Sequence, residues 1–211
     1  MGTYRDRSQA GAVLAELLGD YRDRDDVVVL GLVRGGVPVA AETARLLGVP
    51  LDVLVVRKLG VPWAPEVAFG ALGPGGVRVL NPSIADRLDQ RDIDAVTENE
   101  MAELARRERE YRPDRPPLEL TDTVAIVVDD GLATGATARA AVEVARTLGA
   151  AKVVVAVPVG STEAIGLLEQ AADQVVCPLA PPDFGAVSRF YGDFHQVTDA
   201  EVRALLAEGA R

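Results

Sequence analysis

Residues Val124–Thr137 read VAIVVDDGLATGAT, and the reading of the fold starts there. Val124–Val128 is an unbroken apolar run, mostly β-branched, as in a strand covered on both faces. It ends on two adjacent carboxylates, Asp129 and Asp130, followed by a turn of small residues and a helix pattern opening near Thr137. Open α/β sheets bind ligands at the carboxyl ends of their strands. Gly131 and Gly135 let the backbone turn and approach an oxyanion. The N–H groups of the turn and of the helix start form a phosphate cradle. Thr134 and Thr137 add hydroxyl donors. Carboxylates beside such a cradle would repel a bare phosphate, but they suit a phosphorylated sugar whose hydroxyls donate to them. A plainer reading, that both aspartates only cap a helix, leaves the rest of the turn unexplained. A P-loop would need Gly-Lys-Ser/Thr and a dinucleotide site G-x-G-x-x-G, and this turn has neither.

Outward from this stretch, strand-like and helix-like patterns alternate. Val27–Leu30, Leu51–Val56 and Lys152–Val157 are further apolar runs of strand length, and Val37–Leu47 and Thr137–Leu148 have helical spacing. Gly48 and Gly149 end those helices, as glycine often does. The rhythm predicts an α/β fold, a mostly parallel twisted sheet flanked by helices. Gly60–Gly76, rich in Gly and Pro, reads as a long loop with at most a short hairpin through Glu66–Leu72 and Val77–Leu80. Ser83–Tyr111 reads as one or two exposed helices, and Arg112–Pro117 as a connector. The tail after Val176, with Phe184, Phe190, Tyr191 and Phe194, reads as a small cap closed by a helix near Asp199–Ala207. The first few residues read as a mobile lead-in.

A second glycine turn, Gly31-Leu-Val-Arg-Gly-Gly36, follows the first strand and precedes a helix. Arg34 amid glycines suits a pyrophosphate, through charge-assisted hydrogen bonds and exposed N–H groups. Arg57 and Lys58 put two more cations after the next strand. In the cap, Phe190 or Tyr191 would stack on a planar ligand or form the cap's own core, and the residues leave both open. Arg189 and His195 are its polar members, and His195 reads first as a structural histidine.

The 211 residues fit one domain, here taken as residues 1–211. With 22 Lys+Arg against 32 Asp+Glu, the net charge of −10 argues against nucleic acid or an anionic membrane as a generic partner. One cysteine, Cys177, excludes an internal disulfide framework and a thiolate zinc cage. A triad or a His metal site would have to be built on His195 alone. No apolar run reaches the roughly 20 residues that span a bilayer, and Met1–Gln9 has no apolar signal region. A cytoplasmic location and a homo-oligomer, most simply a homodimer, are expected.

Val124–Thr137 resembles the motif by which type I phosphoribosyltransferases bind 5-phosphoribosyl-1-pyrophosphate (PRPP), and the order of the other features agrees over most of the chain. The resemblance implies that Asp129 and Asp130 hold the ribose 2′- and 3′-hydroxyls. It implies that Ala133, Thr134, Gly135, Ala136 and Thr137, after Gly131, wrap the 5′-phosphate. The loop carrying Arg34, Gly35 and Gly36 would bind pyrophosphate, and in the family that loop often carries a strained peptide. Arg57 and Lys58 would stand at the base of a flexible lid, roughly Leu59–Gly75, containing Trp63 and Glu66. A hood over about residues 178–211 would carry the acceptor site, with Arg189, Phe190 and Tyr191 as its candidates. The implied reaction is Mg²⁺-dependent displacement of pyrophosphate by a small-molecule acceptor, with Arg57, Lys58, Asp129 and Asp130 as catalytic candidates. Mg²⁺ would be held mainly by PRPP and water, with Asp129 or Asp130 the protein groups nearest to it. The acceptor motifs of the purine, uracil and orotate enzymes are not found, so the acceptor is a nucleobase or another N or O nucleophile. A non-catalytic PRPP or nucleotide sensor and a hydrolase or phosphorylase of phosphorylated ribosides stand as alternatives.

Overall fold

The computed structural model describes residues 4–113 and 115–209. The elements in chain order are α1 (Arg7–Leu17), β1 (Val27–Leu32), α2 (Gly36–Leu47), β2 (Leu51–Leu54), β3 (Arg57–Val61), β4 (Ala64–Gly73), β5 (Val77–Leu80), α3 (Pro82–Ala85), α4 (Gln90–Tyr111), β6 (Val124–Val128), α5 (Ala136–Thr147), β7 (Lys152–Ala156), α6 (Thr162–Glu169), β8 (Gln174–Val176) and α7 (Asp199–Glu208). Five strands form a parallel sheet in the order β2-β1-β6-β7-β8, and a second, antiparallel sheet has the order β3-β4-β5.

The unbroken apolar runs arise because the parallel sheet is buried on both faces. Val29, Val53, Ile126 and Val154 pack on one side with Leu14 of α1, Leu47 of α2 and Val202 of α7. Their chain neighbours Leu30, Leu54, Val127 and Val155 pack on the other side with Val142 of α5 and Leu168 of α6. The period of two thus divides each strand between two cores. At the end of α2, Gly48 takes φ +67° and closes the helix in the left-handed conformation.

β1 and β6 are neighbours in register from Val27↔Val124 to Gly31↔Val128. From β1 the chain continues to one side, to β2, and from β6 to the other, to β7 and β8. The junction between β1 and β6 is therefore the sheet's topological switch point, where such folds leave a crevice at the strands' carboxyl ends. Both glycine turns open there.

Two expectations are corrected. The stretch expected as a lid loop, Leu59–Gly75, is mostly strand: β3 and β4 pair from Arg57↔Leu72 to Val61↔Ala64, and Pro62-Trp63 makes the tight turn between them. The short hairpin expected through Glu66–Leu72 and Val77–Leu80 is present as β4–β5, but Gly60 misled because, like Gly70, it sits where strands pack closely; a Cβ on Gly70 would strike the Val79 carbonyl, and one on Gly60 would strike Pro65. The lead-in is also structured from Tyr4 onward. The Tyr4 N–H donates to the Phe190 carbonyl at 2.9 Å and the Gly192 N–H to the Tyr4 carbonyl at 2.8 Å, which ties this end to the hood. Residues 1–3 of the lead-in and 210–211 of the hood lie outside the described residues.

Candidate active site

Asp129 and Asp130 leave the end of β6 where the sequence placed them, and the first glycine turn lies against them. A Cβ on Gly35 would strike the Asp130 carboxylate, and one on Gly36 would strike the Val128 carbonyl and stand 2.8 Å from the Asp129 Cα. Only glycine allows this approach of the two turns. The Val33–Arg34 peptide in that turn is cis.

The Asp130 N–H donates to Asp129 Oδ1 at 2.9 Å. Burial, then the neighbouring Asp130 charge, pushes the Asp129 carboxyl up to about 8. Burial also raises Asp130, against the opposing pull of Arg7. A carboxyl held as Asp129 is can either donate a hydrogen bond to a hydroxyl oxygen or accept one from it near neutral pH.

Beyond Gly131 the turn is pinned from outside. The Leu132 N–H donates to the Val159 carbonyl at 2.9 Å, and Ser161 Oγ donates to the Ala133 carbonyl at 2.8 Å. Gly135, at φ +71°, starts α5 with no side chain capping it. The Ala136 N–H makes only a long bond, 3.4 Å, to Thr134 Oγ1, and the N–H groups of Thr137 and Ala138 in this first turn are open to an anion, with the helix dipole favouring one. Ala133, Thr134 and Thr137 are exposed on this rim.

The cations are less convergent than the sequence suggested. Arg34, half-buried, has Nη1 3.7 Å from Asp199 Oδ1 at the start of α7. Arg57 donates from Nε to Glu100 Oε2 of α4 at 2.6 Å. With Arg57 engaged by Glu100, the two cations of β3 are not both free for an anion. Both line a cavity of about 320 Å³ together with Asn99 and Glu100. Among the described residues Lys58 has no ion-pair partner. A larger cavity of about 1210 Å³ lies at the β2 edge and is lined by none of these residues.

In the hood, Tyr191 is corrected. Its ring is buried against Tyr4 and Phe194, and its hydroxyl donates to the Asp130 carbonyl at 2.6 Å, so it is not free to stack on an acceptor. It is the hood's own core and a brace for the acid turn. Phe190 stacks on Phe184, with centroids 5.6 Å apart, and is half-buried; Arg189 is exposed and 3.6 Å from Asp183. His195 is exposed between Glu201 and Asp193, which together raise its pKa. Glu66 is exposed on the hairpin.

Arg7 was not singled out by sequence reading. Its guanidinium is buried, with Nε 3.0 Å and Nη2 2.8 Å from Asp130 Oδ2 and Nη1 2.9 Å from the His195 carbonyl. The helix start is legible in Asp6, whose side chain caps Gln9. Nothing local marks the target of the next residue.

Among the described residues no group of three or more His, Cys, Asp or Glu could hold a metal ion by itself. A Mg²⁺ is compatible with this donor set only if it arrives with a polyanionic ligand that supplies most of its oxygens. No helix among them is long and apolar enough to cross a membrane.

Known proteins share both the sequence pattern and the architecture. Residues 3–195 match the phosphoribosyl transferase domain. A Mycobacterium tuberculosis H37Rv protein named "Putative phosphoribosyl transferase Rv0571c" is 50% identical over 213 aligned residues, covering 100% of this chain and 48% of that protein. The same holds for its counterpart in strain CDC 1551. The chain thus spans about half the length of the curated relatives it matches. The crystal structure of TT1426 from Thermus thermophilus superimposes with a TM-score of 0.92 at 45% identity, covering 100% of both chains. With its acid pair and two glycine turns meeting at the switch point of a parallel sheet, the chain belongs to the phosphoribosyl transferase domain family.

Proposed function

We propose that the protein is a Mg²⁺-dependent phosphoribosyltransferase that moves the 5-phosphoribosyl group of PRPP to a small-molecule acceptor and releases pyrophosphate. The observation that carries this reading is the contact between Gly35-Gly36 and the Asp129-Asp130 carboxylates at the β1–β6 junction. It sets a glycine turn carrying Arg34 beside two carboxylates, with the N-terminus of α5 following the second turn. In this reading Asp129 and Asp130 bind the ribose hydroxyls, and Gly131 and Ala133–Thr137 bind the 5′-phosphate. Arg34, Gly35 and Gly36 receive the pyrophosphate. Lys58 and Arg57 face it once the β3–β4 hairpin closes, and Arg57 must first leave Glu100.

The reaction is displacement at C1 with inversion. Positive charge develops on the sugar while negative charge grows on the departing pyrophosphate, so the help needed is mainly electrostatic. Bound Mg²⁺ would neutralise part of that leaving charge. Fixed N–H groups and Arg34 do the same from the protein side, and hairpin closure keeps water from C1. The acceptor would lie under the hood near Phe190 and Arg189. We place the protein in the cytoplasm as a homo-oligomer.

The test is a paired measurement. PRPP with Mg²⁺ should raise the melting temperature more than either alone; a ligand at a hundred times its Kd adds about 2.7 kcal/mol. Pyrophosphate release is then screened against nucleobases, aromatic acids and amino sugars. No thermal shift at millimolar PRPP overturns the reading. A shift without pyrophosphate release from any acceptor favours the sensor instead.

A further inference from the structure

Arg7 is buried where charged residues are seldom found unless paired. The chain contains a second ion pair with an equally buried arginine, Arg112 with Asp52, and the comparison is informative. Arg112 Nε donates to Asp52 Oδ1 at 3.0 Å and Nη2 to Oδ2 at 3.1 Å, so both carboxylate oxygens are taken. Arg24 on Asp26 and Arg45 on Glu42 do the same at the surface. Arg7 differs: Nε and Nη2 both converge on Asp130 Oδ2, and among the described residues no hydrogen bond is made to Oδ1. The third arm, Nη1, holds the His195 carbonyl, and the guanidinium lies 4.0 Å from the Phe194 ring centroid.

A fork that closes a buried carboxylate does so with two parallel bonds, one to each oxygen. A fork spent on a single oxygen fixes the carboxylate's rotation and leaves the other oxygen able to accept. We propose that Arg7 is a positioning residue: it anchors Asp130 through Oδ2 so that Oδ1 is presented to a ribose hydroxyl of PRPP, and it joins that carboxylate to the hood. The inference rests on the reading that Asp130 takes such a hydroxyl. Tyr191 braces the same residue through its backbone carbonyl, so the orientation of Asp130 is set from α1 and the hood rather than from β6 alone. Arginine is required because only its planar fork reaches one oxygen twice and the His195 carbonyl with a third N–H.

The experiment is a double-mutant cycle read by calorimetric titration of PRPP in the presence of Mg²⁺, on parent, Arg7→Met, Arg7→Lys, Asp130→Asn, and both position-7 variants in the Asp130→Asn background. Arg7→Met is expected to weaken PRPP binding roughly ten- to hundred-fold, the worth of one charged hydrogen bond. Arg7→Lys, with the charge but no fork, should lose less. In the Asp130→Asn background either change should cost under about threefold, because the group being positioned is gone. A packing role alone would give the same loss in both backgrounds, and that result overturns the proposal, as does an Arg7→Met that binds like the parent. If circular dichroism shows Arg7→Met unfolded, the Arg7→Lys and Asp130→Asn cycle decides by the same criterion. A parent that does not bind PRPP overturns the underlying reading and this inference with it. A parent that binds, with an indifferent position 7, removes this inference alone.

Discussion

Asp129→Asn should stabilise the empty protein above neutral pH while weakening its ligand. The Asp129 carboxyl is pushed from 3.8 to about 8, first by burial and then by the charge of Asp130. Its folded pKa therefore lies above its unfolded one. Between them the folded state holds a proton that the unfolded state has lost, so stability falls as pH rises through this window. The slope is about 1.4 kcal/mol per pH unit, and between pH 6 and pH 8 the loss comes to about 2–3 kcal/mol. For a chain of this size that corresponds to a fall of about 5–10 °C in melting temperature. His195, whose pKa Glu201 and Asp193 raise, drifts the same way, so the quantity to read is the difference between parent and variant. Asparagine is neutral throughout and can still accept the Asp130 N–H. The assay is differential scanning calorimetry at pH 6, 7 and 8 without ligand. The variant's curve should be flatter than the parent's and rise above it at pH 8. Parallel curves would refute the claim that a buried, protonated Asp129 is held in the resting site.

Gly35→Ala should leave the fold intact and weaken PRPP binding at least about tenfold, since the new methyl group would displace an Asp130 carboxylate that Arg7 holds in place; titration calorimetry checks it, and unchanged affinity would separate the two turns. Lys58→Ala should lower turnover more than PRPP affinity if the ammonium meets charge only in the transition state; equal losses in steady-state kinetics would make it a ground-state contact. Trp63, the only tryptophan, is 69% exposed at the β3–β4 turn. Binding of Mg²⁺ and PRPP should shift its emission to the blue and protect it from a soluble quencher, with ribose 5-phosphate doing much less. Unchanged emission on a protein saturated with PRPP would mean that the hairpin does not close.

What was legible in the sequence was what is encoded locally. The unbroken run Val124–Val128 reports burial on both faces, and the Asp-Asp turn keeps its chemistry inside one short continuous stretch, so β6, α5 and the acid pair could be read directly. The hairpin expected through Glu66–Leu72 and Val77–Leu80 is the β4–β5 pair, but β3 was missed because Gly60 reads as a loop residue, whereas its small size serves strand packing. Pairing between β3 and β4 is a property of two segments, and neither alternates strictly enough to announce it. Arg57 and Lys58 read as a joint cation site, and both do line one cavity, but Arg57 is engaged by Glu100, a partner 43 positions away that no local pattern announces. Tyr191 could not be assigned as core or ligand contact because its neighbour Tyr4 lies at the other end of the chain. Arg7 was hidden for the same reason, since its partner Asp130 is 123 positions distant.

The bridge between Tyr4 and the segment around Tyr191 also bears on the order in which the molecule assembles. During synthesis the strands from β1 to β7 can emerge and begin to stack, and Arg7 can meet Asp130, while Tyr4 still lacks Tyr191. The aromatic cluster of Tyr4, Tyr191 and Phe194, and the grip of Arg7 on the His195 carbonyl, wait until nearly the whole of this stretch has left the ribosome. Contacts of such long sequence separation form late because the intervening chain must first be ordered. A nascent chain stalled before residue 190 would thus carry both glycine turns, both aspartates and Arg7, yet Asp130 would lack its brace from the Tyr191 hydroxyl and Arg7 its hold on the His195 carbonyl, so that the acid turn is completed only when translation has passed the hood.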